Sequence, residues 1–141
     1  MQTQQRNKYL QTTVQTATPQ QLLIMLYDGA IRFVRQGTEA IKNQDFAVAN
    51  TSFLRAQDII NEFIITIDRT SEISDNLLKL YEYFNMRIVE ANMKKSSEPA
   101  EEVLGHLQEL KETWIQAAKQ YNQLAGQASG NTFKQTQSTV V

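Results

Sequence analysis

A single histidine, His106, and the glutamates around it hold most of this chain's capacity for chemistry. A carboxylate-bridged metal bundle needs a Glu-x-x-His motif on each of two helices, with further glutamates pointing inward. Here the nearest upstream acid, Glu102, stands four residues away and there is no second histidine. His106 therefore reads as a helix-surface or hydrogen-bonded side chain, and no metal site is expected. Glu101, Glu102, Glu109 and Glu112 read as the solvated side of one helix, with favourable charge near its N-terminal end. Asp28 beside Tyr27 could be drawn as an acid–base pair. Arg32, four residues on, instead places Asp28 on a charged face, as does the Arg35–Glu39 pair beyond it. The many serines sit in no G-x-S-x-G turn, and no phosphate-binding glycine loop occurs. With no cysteine there is neither a disulfide frame nor a thiolate metal site. No catalytic residue and no cofactor are expected, which leaves binding as the better class of function.

The rest of the composition narrows the partners. The 141 residues carry a net charge of −1 and no basic stripe, so a nucleic-acid partner is not expected. The N-terminal MQTQQRNKYLQTTVQ lacks the apolar core of a signal peptide, and no apolar run approaches the ~20 residues of a membrane span. The expectation is a cytoplasmic protein without membrane insertion.

Only two prolines and five glycines interrupt the sequence, and four segments carry helical period. The first, about 19–43, opens with Thr18 as cap, Pro19 in first position and Gln21 closing a T-x-x-Q capping box. Its apolar arc is broad: Leu22, Leu23, Leu26, Tyr27, Ala30, Phe33, Val34, Ala40 and Ile41 share one face, widened by Ile24 and Ile31. Such a helix is expected to be the one the others surround, with Gly29 as a point of close approach. The second, about 46–69 after Asp45, sets Phe46, Ala49, Phe53, Ala56, Ile60, Phe63 and Ile67 at 3-4 spacing. The third, about 74–94 with Ser74 as cap, carries Ile73, Leu77, Leu80, Phe84, Ile88 and Ala91. The fourth, about 99–125, carries Val103, Leu107, Leu110, Trp114, Ala117, Tyr121 and Leu124. Short connections favour antiparallel neighbours. The fold class is all-α: an antiparallel up-down-up-down four-helix bundle over 16–125, between a mobile N-terminal segment, 1–15, and a disordered tail, 126–141.

Away from these seams three helices repeat a second apolar pair. Leu54 and Ile65, Leu78 and Val89, and Leu104 and Ile115 are each 11 residues apart, close to three turns, which sets each pair on one face about 16 Å apart. Two readings stand: lateral contacts helping to enclose the first helix, or walls of grooves for an extended apolar partner.

The order of five blocks carries a resemblance. Tyr9, then TATPQQLLIMLYDGAIRF at 16–33, RAQDIINE at 55–62, LYEYFNMRIVEAN at 80–92 and Trp114 resemble the FliS family of flagellar secretion chaperones over about residues 9–121. The resemblance implies a cytoplasmic helical bundle that binds the disordered C-terminal segment of newly made flagellin. It implies that the chaperone blocks premature polymerisation and delivers its client to an export-gate component of the flagellar type III apparatus. The resemblance further implies that the bound client is partly helical and wraps the bundle in an extended, horseshoe-like path. It implies too that the N-terminal segment, in which Tyr9, Leu10 and Val14 are the apolar anchors, lies over part of the apolar surface until the client arrives; Tyr9 matches the tyrosine associated with gate docking. The six paired residues are the candidate client-binding positions on their periodicity, not on a family motif. The expected state is a monomer or weak dimer. A self-associating adaptor and an enzyme without a recognisable motif are the competing readings.

Overall fold

The computed structural model describes Lys8, Gln11 and residues 15–140, with 127–140 described by backbone alone. Tyr9, Leu10 and Val14, the expected anchors of the N-terminal segment, lie outside the described residues. Four helices follow in order: α1 (Pro19–Lys42), α2 (Phe46–Thr66), α3 (Ser74–Lys94) and α4 (Glu98–Val140). Each helix packs on the next, and α4 closes against α1. The connections 43–45, 67–73 and 95–97 are too short to carry the chain back along a helix, so successive helices run antiparallel. The expected four-helix bundle is what forms.

The helix ends follow from local chemistry. Thr18 accepts from the Gln21 N–H at 3.1 Å, and the Thr18 N–H donates to Gln21 Oε1 at 3.0 Å, which completes the capping box read from sequence. Asp45 Oδ1 accepts from the Val48 N–H at 3.3 Å. α1 and α3 end alike. Gln44 (φ 60°) and Lys95 (φ 52°) take left-handed conformations, and the following N–H groups, of Asp45 and Ser96, reach back to the Ala40 and Ala91 carbonyls. Ser74 is not the cap of α3: Ile73 holds that position without a side-chain bond, and Ser74 Oγ donates back to the Arg69 carbonyl.

α1 is not surrounded. It lies between α2 and α4 in a ring of four, and Asp28, Arg32, Arg35 and Glu39 face solvent. Its charges pair differently from the i,i+4 expectation. Asp28 reaches Lys111 of α4 at 2.5 Å, and Glu39 sits 3.8 Å from Lys42. A cross-helix lysine within reach displaces the intrahelical arginine, and the Arg32 guanidinium lies over the Phe33 ring instead.

The core is built from the seams, with Tyr27, Val34, Phe53, Ile60, Phe84, Ile88, Val103 and Leu107 fully buried. Tyr81, absent from the expected α3 stripe, joins them. Leu22, Phe46, Ile73, Tyr121 and Leu124 are on the expected seams yet exposed: the first three lie at helix ends, and Tyr121 and Leu124 lie on α4 beyond the packed part of the bundle. α4 runs on to Val140, past residue 125, beyond which the composition places a disordered tail. No proline follows Pro99 to break the helix, although the Gly, Ser, Thr and Asn residues of 126–140 are weak helix formers. Its residues from Lys119 to Gly126 are all exposed, so the packed part of the bundle ends near Ala118.

α1 and α2 approach closely at two glycines. A Cβ on Gly29 would stand 3.1 Å from Ile59 Cδ1, which agrees with its expected role. Gly37 is the tighter point, since a Cβ there would lie 2.3 Å from the Phe53 ring.

Candidate functional site

The ring arrangement divides the outer surface into faces, and the six paired apolar residues fall on two of them. On α2 the core is flanked on the α1 side by Ile59 and Arg55, and on the α3 side by Asn50, Leu54, Asn61 and Ile65. On α3 the α2 side carries Leu78, Asn85, Val89 and Asn92, while Tyr83 and Arg87 turn toward α4. Leu54, Ile65, Leu78 and Val89 thus share the α2–α3 face. Leu54 is 50% exposed and Ile65 76%, Val89 is also exposed, and Leu78 is half-buried. Such exposure of β-branched and leucine side chains along adjoining helices is what a partner surface presents.

Leu104 and Ile115 lie on the opposite face, between α4 and α1. Leu104 packs against the core, as the lateral-contact reading expected. Ile115 is half-buried in a depression lined also by Ile31, Asp28, Arg32 and Lys111. The six positions therefore make no single groove, and a partner touching both sets has to pass around the bundle.

Met86 and Met93 were missed from sequence. Both are exposed on the outer side of α3, Met93 at 78%. Their seven-residue spacing is a helical repeat, and flexible thioethers suit a surface that adapts to varied side chains. A second missed feature is an apolar cavity of about 300 Å³ at the end of the bundle beneath the α2–α3 connection. Leu23, Phe63, Ile67, Leu77, Tyr81 and Trp114 line it. Its walls come from all four helices and the 67–73 connection, brought together from distant sequence. Trp114 lies on its expected seam; its buried indole N–H has no hydrogen-bond partner within normal geometry among the described residues, although it is near enough to Tyr27 to bear on that hydroxyl.

Two cross-helix polar ties cross the α2–α3 face. Asn85 Nδ2 donates to Asn61 Oδ1, and Asn92 Nδ2 donates to Asn50 Oδ1, both at 2.8 Å. On the α3–α4 face the Tyr83 hydroxyl donates to Glu102 Oε1, and Arg87 Nε donates to Glu102 Oε2 at 3.1 Å. Arg87 also meets Glu90 at 2.6 Å, and Glu90 meets Lys94 at 2.9 Å. These bonds hold the Glu102 carboxyl below its ordinary range, Tyr83 first and Arg87 after it, and the same bond raises the Tyr83 hydroxyl. His106 stacks on Phe84 with ring centroids 5.9 Å apart and stands 3.8 Å from Glu102 and 3.9 Å from Glu109. It is a packed surface histidine beside acids. Among the described residues no group of three or more His, Cys, Asp or Glu could hold a metal ion, and no helix is long and apolar enough to cross a membrane.

A four-helix bundle whose polar clusters tie helices together, and whose outer faces expose ordered apolar rows, defines a helical binding protein. The chain matches the family described as "Flagellar protein FliS" over residues 1–121, and it belongs to that family. It is 38% identical over 109 residues to the "Flagellar secretion chaperone FliS" of Bacillus subtilis, covering 77% of this chain and 82% of the relative. The protein of the same name from Salmonella typhimurium is 29% identical over 110 residues, covering 76% of this chain and 82% of that one. The Vibrio cholerae protein is 28% identical over 116 residues, 81% and 85% of the two chains. The family is one of secretion chaperones, not enzymes.

Proposed function

We propose that this chain is a cytoplasmic export chaperone for flagellin. It binds the disordered C-terminal segment of the subunit, keeps that segment from polymerising early, and hands the complex to a component of the flagellar export gate. The observation that carries this reading is the exposed row of Leu54, Ile65 and Val89 on the α2–α3 face of a FliS-family bundle. A disordered client can cover a large surface, and apolar side chains seated along helical grooves offset the entropy lost on ordering it. Leu78 continues the α2–α3 row. Ile115 supplies a contact on the α1–α4 face, reached by a client that wraps the bundle, and Leu104 supports that face from beneath. Tyr9, Leu10 and Val14 form the N-terminal cap, with Tyr9 serving gate docking. The working state is a monomer or weak dimer with one client per chain.

The test is light scattering on the full chain alone and mixed with a flagellin C-terminal segment. The expected result is a mass for one chaperone and one client. Leu54→Asp should lose the complex while keeping helical circular dichroism. A tight dimer that ignores the segment would favour a self-associating adaptor and overturn this reading.

A further inference from the structure

The two asparagine ties on the α2–α3 face are more than helix-to-helix links. Each uses one donor of the α3 asparagine and the acceptor of the α2 asparagine. A side-chain amide has two donors and an acceptor, so each tie leaves the Nδ2 group of Asn61 or Asn50 without another partner among the described residues, at exposed positions. The Asn61–Asn85 tie leaves Asn85 Oδ1, a buried acceptor, without a protein partner among the described residues. An apolar pair of the same shape would hold the helices together without that cost. The tie does hold the Asn61 amide in a fixed direction at the rim of the exposed apolar row.

We propose that Asn50 and Asn61 are main-chain-reading positions. Their outward Nδ2 groups donate to peptide carbonyls of a client stretch that crosses the α2–α3 face in extended form. An amide of fixed orientation suits a peptide group, and a helical client would already have spent those carbonyls within its own turns. Eleven residues of α2 separate the two rungs, about 16 Å, which an extended chain spans in about five residues. Leu54 and Val89 fall in register between the rungs and take side chains from the intervening residues. Asp58 and Glu82, each three residues before an asparagine of the Asn61–Asn85 rung, are exposed and form no ion pair among the described residues. The charge complement of such a face is a stretch that is apolar with a lysine or arginine beside the apolar positions. The occupant is therefore an extended, apolar and basic peptide stretch, read through its backbone. This inference rests on the proposed client reading and adds how the client is held.

The variants Asn61→Asp and Asn50→Asp keep the oxygen that accepts from Asn85 or Asn92 and replace the outward donor with an acceptor. With the full chain and an isotope-labelled flagellin C-terminal segment, each should weaken binding about tenfold and leave the melting temperature unchanged. The weakening should persist at high salt, where the added charge is screened. Hydrogen exchange on the bound client should show an unhelical stretch of about five residues flanked by helical or free chain. Unchanged affinity in both variants, or continuous helix across the α2–α3 face, would overturn the inference while the chaperone reading stands. A melting temperature that falls with unchanged affinity would make the ties structural only. Absence of binding by the unmodified chain would overturn the chaperone reading and this inference with it.

Discussion

The hydroxyls of Tyr27 on α1 and Tyr81 on α3 meet at 2.6 Å across the diagonal of the bundle, buried, with the Phe63 ring stacked on Tyr27 at 4.5 Å. Each phenol is the other's means of staying satisfied in an apolar interior. Tyr81→Phe leaves the Tyr27 hydroxyl buried without that partner and should cost about 1–3 kcal/mol. Replacing both by Phe should recover most of the loss. Urea unfolding of Tyr27→Phe, Tyr81→Phe and the double variant checks this; a loss in the double variant equal to the sum of the two single losses would mean that the hydroxyl pair contributes little.

The contact of Gly37 with the Phe53 ring sets the spacing of α1 and α2. Gly37→Ala gains about 1 kcal/mol of helix propensity but forces a methyl group into a rigid ring, and overpacking of this kind costs about 1–3 kcal/mol. Net destabilisation is expected, and Phe53→Leu in the same chain should relieve the clash. Gly29→Ala meets only the flexible end of Ile59 and should be close to neutral. Melting temperatures of the three variants decide it.

Stability should fall at both ends of the pH scale. Glu102, held down by Tyr83 and then Arg87, and Glu90, held down by Lys94 and then Arg87, favour the folded state while ionised. Their contribution is present above the ordinary carboxylate range of about 4.3 and is lost as pH falls through their depressed values. Burial raises Tyr27 and Tyr81, so the folded state keeps them neutral. That contribution is present below about 10 and is lost as pH rises, when the unfolded chain ionises first. Glu102→Gln should lower stability near neutrality and flatten the acid limb. An acid limb of unchanged slope, followed by denaturant unfolding from pH 3 to 7, would contradict the role given to Glu102.

The bundle was legible because its seams repeat at helical spacing and its caps are local chemistry: Thr18, Gln21 and Asp45 act where the sequence placed them. What escaped the sequence depends on pairs from distant positions. Tyr81 sits one step beside the α3 stripe and is drawn inward by Tyr27, 54 residues away. Asp28 finds Lys111 instead of Arg32 for the same reason. The second apolar rows were visible as a period. Periodicity gives the angle of a residue on its own helix, not which neighbour covers that angle. Leu54 and Leu104 therefore looked alike, though one is half exposed and the other packs on the core.

In the proposed function the exposed α2–α3 row binds an ordering client. Titration calorimetry of the full chain with a flagellin C-terminal segment, repeated over a range of temperatures, tests it most directly. The expected result is one client per chain, favourable enthalpy opposed by entropy, and a large negative heat-capacity change as disordered chain folds onto apolar surface. Ile65→Asp, at a position already open to solvent, should reduce both the affinity and that heat-capacity change. No heat of binding at micromolar concentrations, or an unchanged titration with Ile65→Asp, Leu54→Asp and Val89→Asp combined, would contradict it.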